Sequence, residues 1–178
     1  MTVLRGDATT MTAGDPASLP GRFRGFMAGF PSGVAIVTTT DRRGKQWGMT
    51  CSAVCSASVD PPTLIVGIRA ASPTLQALLD SGRFAVNLLH ERARETAELF
   101  ASADPDRFDL VAWEHDSGYG GPHLYEAAHS VADCRVSQSV LVGPQRMVFG
   151  EPFRISTLAE TRPLLYGLRR YGRWSAHG

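Results

Sequence analysis

From Met49 to Val59 the chain sorts its side chains with a period of two. Met49, Cys51, Ala53, Cys55, Ala57 and Val59 are apolar, whereas Thr50, Ser52, Ser56 and Ser58 carry hydroxyls. A helix repeats its faces every 3.6 residues and cannot do this; an extended strand can. The stretch predicts one long strand with an apolar face and a hydroxyl face, stopped by Asp60-Pro61-Pro62. Residues 63–68, Thr-Leu-Ile-Val-Gly-Ile, follow as a nearly continuous apolar run, the pattern of a central strand. Gly33–Thr40, Phe84–Leu89, Val131–Val142 and Arg146–Ile155 add further strands, the last two joined at Gly143-Pro144-Gln145.

Three helices fit between them. Phe23, Phe26, Met27 and Phe30 make one face of a short helix that Pro31 ends. Ser72-Pro73 has the form of an N-cap with proline at the first helical position, opening a helix through Leu75, Leu78 and Leu79 to Ser81-Gly82. Glu91–Ala101 reads as a third, with Ala93, Ala97 and Phe100 inward, before a Gly/Asp/His-rich loop over 102–130. Many strands with short turns and few helices describe a mainly β barrel or sandwich with helices at its periphery. At 178 residues and 43% hydrophobic composition one core suffices. Residues 1–20 are expected to be a mobile tail rather than a signal peptide or anchor, 21–174 the domain, and 175–178 a short tail.

The chemistry is mostly excluded by type. Gly118-Tyr119-Gly120-Gly121-Pro122 lacks a strand before it and a helix after it, so it is not a nucleotide-binding loop. The five histidines and three cysteines show no metal-ligand spacing, and no Gly-x-Ser-x-Gly elbow is present. On one strand Cys51 and Cys55 stand about 13 Å apart, too far for a disulfide, which suits a reducing cytoplasm. A net charge of +1 argues against bulk attraction to nucleic acid or membrane. An enzyme of this composition relies on a cofactor for the hard chemistry.

The positive signal is the hydroxyl face together with Ser72-Pro73-Thr74. A helix N-terminus offers unpaired N–H groups, and Ser72 and Thr74 add donors, so a phosphate could sit there with Thr50 and Ser52 holding a polar chain. Equally, Ser72 could only cap its helix and the hydroxyl face only meet water. The C-terminal stretch sets Arg162, Arg169, Arg170 and Arg173 among Tyr166, Tyr171 and Trp174. Such a segment suits closure over a nucleotide, a solvated tail or, least of all, a nucleic-acid surface.

Five segments in order, FRGFMAGFPSGVAIVTTT (23–40), GMTCSAVCSASVDPP (48–62), SPTL (72–75), GRFAVNLL (82–89) and PLLYGLRRYGRW (163–174), resemble the flavin reductase family of two-component monooxygenases. The resemblance covers residues 22–174. It implies an FMN-binding split β-barrel of Greek-key type, a homodimer, that reduces FMN or FAD with NADH or NADPH. It implies delivery of the reduced flavin by diffusion to a separate flavin-dependent oxygenase or halogenase. A flavin-binding module with little turnover, and a small-molecule barrel without flavin, stand as alternatives.

Carried across, Gly48, Met49, Thr50, Cys51, Ser52 and Ala53 border the ring and ribityl chain, and Ser72 and Thr74 the phosphate. Ala85, Val86 and Asn87 lie near the ring, with Ser32, Gly33 and Val34 beside them; Tyr166, Arg169 and Tyr171 contact a cofactor. No side chain is expected to act as acid or base, since hydride passes directly between cofactors. One departure stands out. Where the family has Gly-Asp-His between its last two long strands, this chain has Gly143-Pro144-Gln145, so Gln145 replaces a histidine associated with the nicotinamide. In the following strand Glu151 shares the odd positions with Met147, Phe149, Phe153 and Ile155. Either it enters the ligand site or a bulge around 150–152 resets the phase, and the bulge is the favoured expectation.

Overall fold

The computed structural model describes residues 15–175. Ser18 caps the first helix, α1 (Leu19–Ala28), its hydroxyl accepting from Gly21 N–H at 3.1 Å. The helix therefore starts inside the segment expected to be a tail, whose residues 1–14 lie outside the described part, as do 176–178. Then follow β1 (Ser32–Gly33), β2 (Ala35–Thr40), β3 (Gln46–Cys51), β4 (Val54–Val59) and β5 (Pro62–Arg69). The remainder is α2 (Pro73–Ser81), β6 (Arg83–Leu89), α3 (Arg94–Ser102), β7 (Ala128–Val142), β8 (Gln145–Thr157), β9 (Leu164–Gly167) and β10 (Arg170–Arg173).

Seven antiparallel strands run in the order β3-β2-β6-β7-β8-β5-β4, and β1-β9-β10 form a second small sheet. The edge strands β3 and β4 are joined by Ser52 and Ala53 alone. Cα atoms three residues apart can separate by at most about 11 Å, so the two edges must be brought round to each other and the sheet curls into a barrel. The link is held to β5, where Gly67 N–H donates to Ala53 C=O at 2.8 Å. The expected long strand is thus two strands. The break at Ser52-Ala53 resets the alternation, so Cys51 is buried while Cys55 is exposed. The apolar run 63–68 lies one strand from an edge, not at the centre. It is apolar because Val66 and Ile68 fill the barrel.

β2 is buried on both faces. Ala35 and Val37 point into the barrel with Phe84, Val86 and Val148. Val34 and Ile36 point outward beneath Ala97 and Phe100 of α3. On β8 the buried positions are the even ones, Val148 and Gly150, and Glu151 is exposed opposite Arg135. The register also slips on both sides of it, between Asp133 and Cys134 and between Val136 and Gln138. The bulge expectation holds in kind, and the odd face is the outer one.

The long loop before β7 covers the outward face of β2, β6 and β7, where it meets Thr38, Asn87 and Asp133. Gly120 and Gly121 lie so close to β6 and β2 that a Cβ would sit 2.2 Å from Phe84 O and 2.4 Å from Thr38 O; only glycine fits. Asp133, wholly buried on β7, accepts from Gly120 N–H at 2.7 Å, lies 2.8 Å from His123 Nε2 and accepts from Arg154 Nε at 2.8 Å. Tyr119 stacks on His123 with 3.9 Å between ring centroids, and Arg154 covers Tyr119. Burial raises the Asp133 pKa, but the bonds from His123, Gly120 and Arg154 outweigh it and hold the carboxyl below its ordinary value.

Candidate functional site

A groove of about 640 Å³ lies between α1, the β3–β4 link and the β9–β10 hairpin. Met27, Phe30, Ile65 and Met147 make it apolar, and Ser32, Ser52, Arg24, Tyr166 and Arg169 place polar groups around it. Through Ser52, Ala53 and Met147 it continues into a smaller recess of about 240 Å³, lined also by Met49, Thr50, Cys51, Arg69 and Gln145. The two recesses together hold three arginines and, among the described residues, no carboxylate or imidazole.

The link residues explain why the groove is here. Ser52 and Ala53 belong to neither ladder, so the wall of the barrel opens at its seam. Cys51 holds the seam from inside. Its thiol contacts Ala53 O and Gly67 O at 3.7 and 3.6 Å, and burial pushes its pKa up, so it stays protonated. Thr50 donates its hydroxyl to Ala97 O of α3 at 2.6 Å, which fixes β3 against that helix. Ser72 occupies the N-cap position of α2 but makes no capping bond; its hydroxyl lies 3.6 Å from Met49 Sδ at the edge of the smaller recess. Capping alone therefore does not account for this serine.

Of the residues expected at the site, the structure brings Ser32, Met49, Thr50, Cys51, Ser52, Ala53, Gln145, Tyr166 and Arg169 to these connected recesses. Gly33 is exposed on β1 beside Ser32. Val34, Ala85, Val86 and Asn87 are not brought there: all four are buried, and Asn87 uses its amide within the fold. It donates to Ile36 O, Thr38 Oγ1 and Pro122 O and accepts from Leu124 N–H, so it anchors the loop before β7 to the barrel. Gly48 is also structural, since a Cβ there would meet the Phe100 ring at 2.8 Å. Thr74 is buried in the first turn of α2. Tyr171 turns the other way, packing against the outer core beneath Arg94 and touching Tyr166 edge-on at 5.3 Å.

Arg24, Met27 and Phe30 of the α1 segment, and Ile65, Arg69 and Met147, were not legible as site residues. The aromatics of the α1 segment form the single face that their spacing predicts, and Phe23, Phe26 and Phe30 are each at least 60% exposed. Among the described residues no element covers that face, which a periodicity cannot reveal.

The residues present fit a flat aromatic ligand carrying phosphates: an apolar slot, hydroxyls at its edge and the guanidinium groups of Arg69 and Arg169. Comparison with known proteins agrees. The flavin reductase like domain matches residues 27–175. A flavin reductase (NADPH) of Lentzea aerocolonigenes is 45% identical over 155 residues, 87% of this chain and 90% of that protein. The crystal structure of a homologue of nitrilotriacetate monooxygenase component B from Mycobacterium thermoresistibile superposes with a TM-score of 0.80 at 31% identity, covering 86% of each chain. The NADH:FAD oxidoreductase of Streptomyces globisporus, solved with NAD and FAD fragments, gives 0.81 at 25% identity over 91% of this chain and 96% of that one. The split barrel, the seam groove and these matches lead to one conclusion: the chain belongs to the flavin reductase like family and is an NAD(P)H-dependent flavin reductase.

Proposed function

We propose that the seam groove seats the flavin ring and that the smaller recess leads its phosphate toward Ser72 at the start of α2. The observation that carries this reading is the lining: an apolar slot edged by the hydroxyls of Ser32 and Ser52, with Arg69 and Arg169 beside it and, among the described residues, no acidic group. When bound, flavin supplies the hydride acceptor and the nicotinamide the donor, a transfer that needs no protein acid or base. The chain's own residues position and shield. Met27, Phe30, Ile65 and Met147 exclude water from the ring, Ser32 and Ser52 offer hydroxyls at its edge, and the helix N-terminus favours an anion. Gln145, opposite Arg69 in the smaller recess, puts a neutral amide where the family has a histidine.

The reduced flavin serves a separate flavin-dependent oxygenase or halogenase, as the resemblance to two-component systems supports. The groove is open to solvent along its length, which suits a flavin that enters and leaves as a substrate. A second copy of the chain covers the exposed face of α1, so the working form is a homodimer with its sites beside the interface. The three cysteines are free, which suits a cytoplasmic protein.

The test has two steps. Purified protein with NADH or NADPH should consume nicotinamide absorbance only when FMN, FAD or riboflavin is added. With the reductase and a flavin-dependent oxygenase on opposite sides of a dialysis membrane under low oxygen, product should form on the oxygenase side. Turnover without transfer, with reduced flavin shown to survive the crossing, would reject diffusible delivery; flavin binding without turnover would favour a flavin-carrying module.

A further inference from the structure

Strands β9 and β10 are joined by only two residues, because Gly167 pairs with Arg170 and leaves Leu168 and Arg169 as the whole turn. Both have positive φ, 52° and 59°. A two-residue hairpin requires this left-handed backbone at both positions, and chains normally meet the requirement with Asn-Gly or Asp-Gly. Leucine and arginine each bring a Cβ against the following carbonyl. The turn is nevertheless held firmly in place, since Leu168 N–H donates to Ala28 O at 2.6 Å, at the last residue of α1. Helix and hairpin are thereby fixed as adjoining walls of the groove, with Arg169 among its lining residues.

The guanidinium of Arg169 makes no hydrogen bond, ion pair or ring contact among the described residues. It faces a groove without a carboxylate. A strained position whose side chain makes no contact among the described residues points to a ligand. The ligand must be anionic and suited to a two-pronged donor, which describes a phosphate group. Resting on the groove reading above, the flavin's own phosphate lies the other way, in the smaller recess toward Met49 and Ser72. Arg169 borders the large groove only and takes no part in that recess.

We propose that Arg169 reads the phosphates of the nicotinamide nucleotide, held over the groove by a turn that sacrifices backbone comfort to place it. Two phosphates share this chemistry, the pyrophosphate of either nucleotide and the 2′-phosphate of NADPH. Arg169→Asn keeps a residue tolerant of the left-handed region and removes the charge. It should raise the KM for nicotinamide nucleotide about tenfold, with kcat and the flavin dissociation constant within about twofold. An equal rise for NADH and NADPH assigns the pyrophosphate, and a rise for NADPH alone the 2′-phosphate. Leu168→Gly relaxes the same turn without touching the charge, and should raise Tm by about 2–4 °C at unchanged KM. Unchanged KM for both nucleotides in Arg169→Asn, or flavin affinity falling as far as nicotinamide affinity, overturns the proposal. The groove reading fails separately, if flavin affinity is indifferent to filling the groove at Ala53.

Discussion

Two regions of the barrel are built on opposite rules. Beneath the loop before β7, Asp133, His123, Asn87 and Thr38 are buried and each is paired: Thr38 donates to Pro122 O at 2.6 Å, and the Asp133 oxygens are met by three groups. At the seam groove, apolar side chains face solvent, the Ser72 hydroxyl does not cap its helix, and Arg169 stands on a strained turn without a partner among the described residues. Polar groups satisfied within the chain stabilise it. Polar groups left unsatisfied at an open apolar slot are available to something else. The contrast separates residues that look alike in sequence: Asn87 and Ser52 are both polar residues near strands, yet only Ser52 borders the groove.

The contrast is broken most severely beneath the loop. Asp133→Asn leaves Arg154 without its counter-charge and sets an amide where three donors converge, so it should cost about 3 kcal/mol, or roughly 9 °C in Tm. Flavin affinity of the folded protein should be unaffected. The wild-type protein carries a pH signature of the same network. The folded pKa of Asp133 lies below its unfolded value, so its contribution is complete above about pH 4 and fades as pH falls through the folded pKa. Urea midpoints measured from pH 6 to pH 3 should show this loss in the wild type and a smaller one in Asp133→Asn. A flat wild-type profile would place the network's stability elsewhere.

The open side is sharpened by a charge on α1. Phe26 is 75% exposed, and Phe26→Glu should remove about 2 kcal/mol of association if a second copy covers it. Light scattering at micromolar concentration should read twice the chain mass for the wild type and a shift toward the single mass for the variant. A wild-type monomer would contradict the homodimer.

What the sequence disclosed follows the same division. Ser72-Pro73 and Gly82 delimit α2 by local chemistry, and α2 begins and ends where they stand, with Gly82 at φ 69°. The inward face of α3, Ala93, Ala97 and Phe100, was legible from spacing for the same reason. The roles that stayed hidden are set by residues far along the chain. Asn87 is claimed by Pro122 and Leu124, Gly48 by Phe100, and the phase of β4 by a two-residue link that must join the two edges of a curled sheet. Alternation through Ser52-Ala53 continued on paper because both residues are small and fit either face. Half of the expected site residues lie on the connected recesses and Ser72 stands at their edge, whereas Val34, Gly48, Thr74, Ala85, Val86, Asn87 and Tyr171 are built into the fold.

The seam groove as flavin seat is tested most directly by filling it. Ala53 is exposed at the bend shared by both recesses, so Ala53→Leu adds bulk where the ring would lie without disturbing the core. Flavin fluorescence titration should show the FMN dissociation constant rising about tenfold, equivalent to about 1.4 kcal/mol, with Tm within about 2 °C of the wild type. An FMN dissociation constant equal to that of the wild type, in a variant that folds normally, would contradict the assignment.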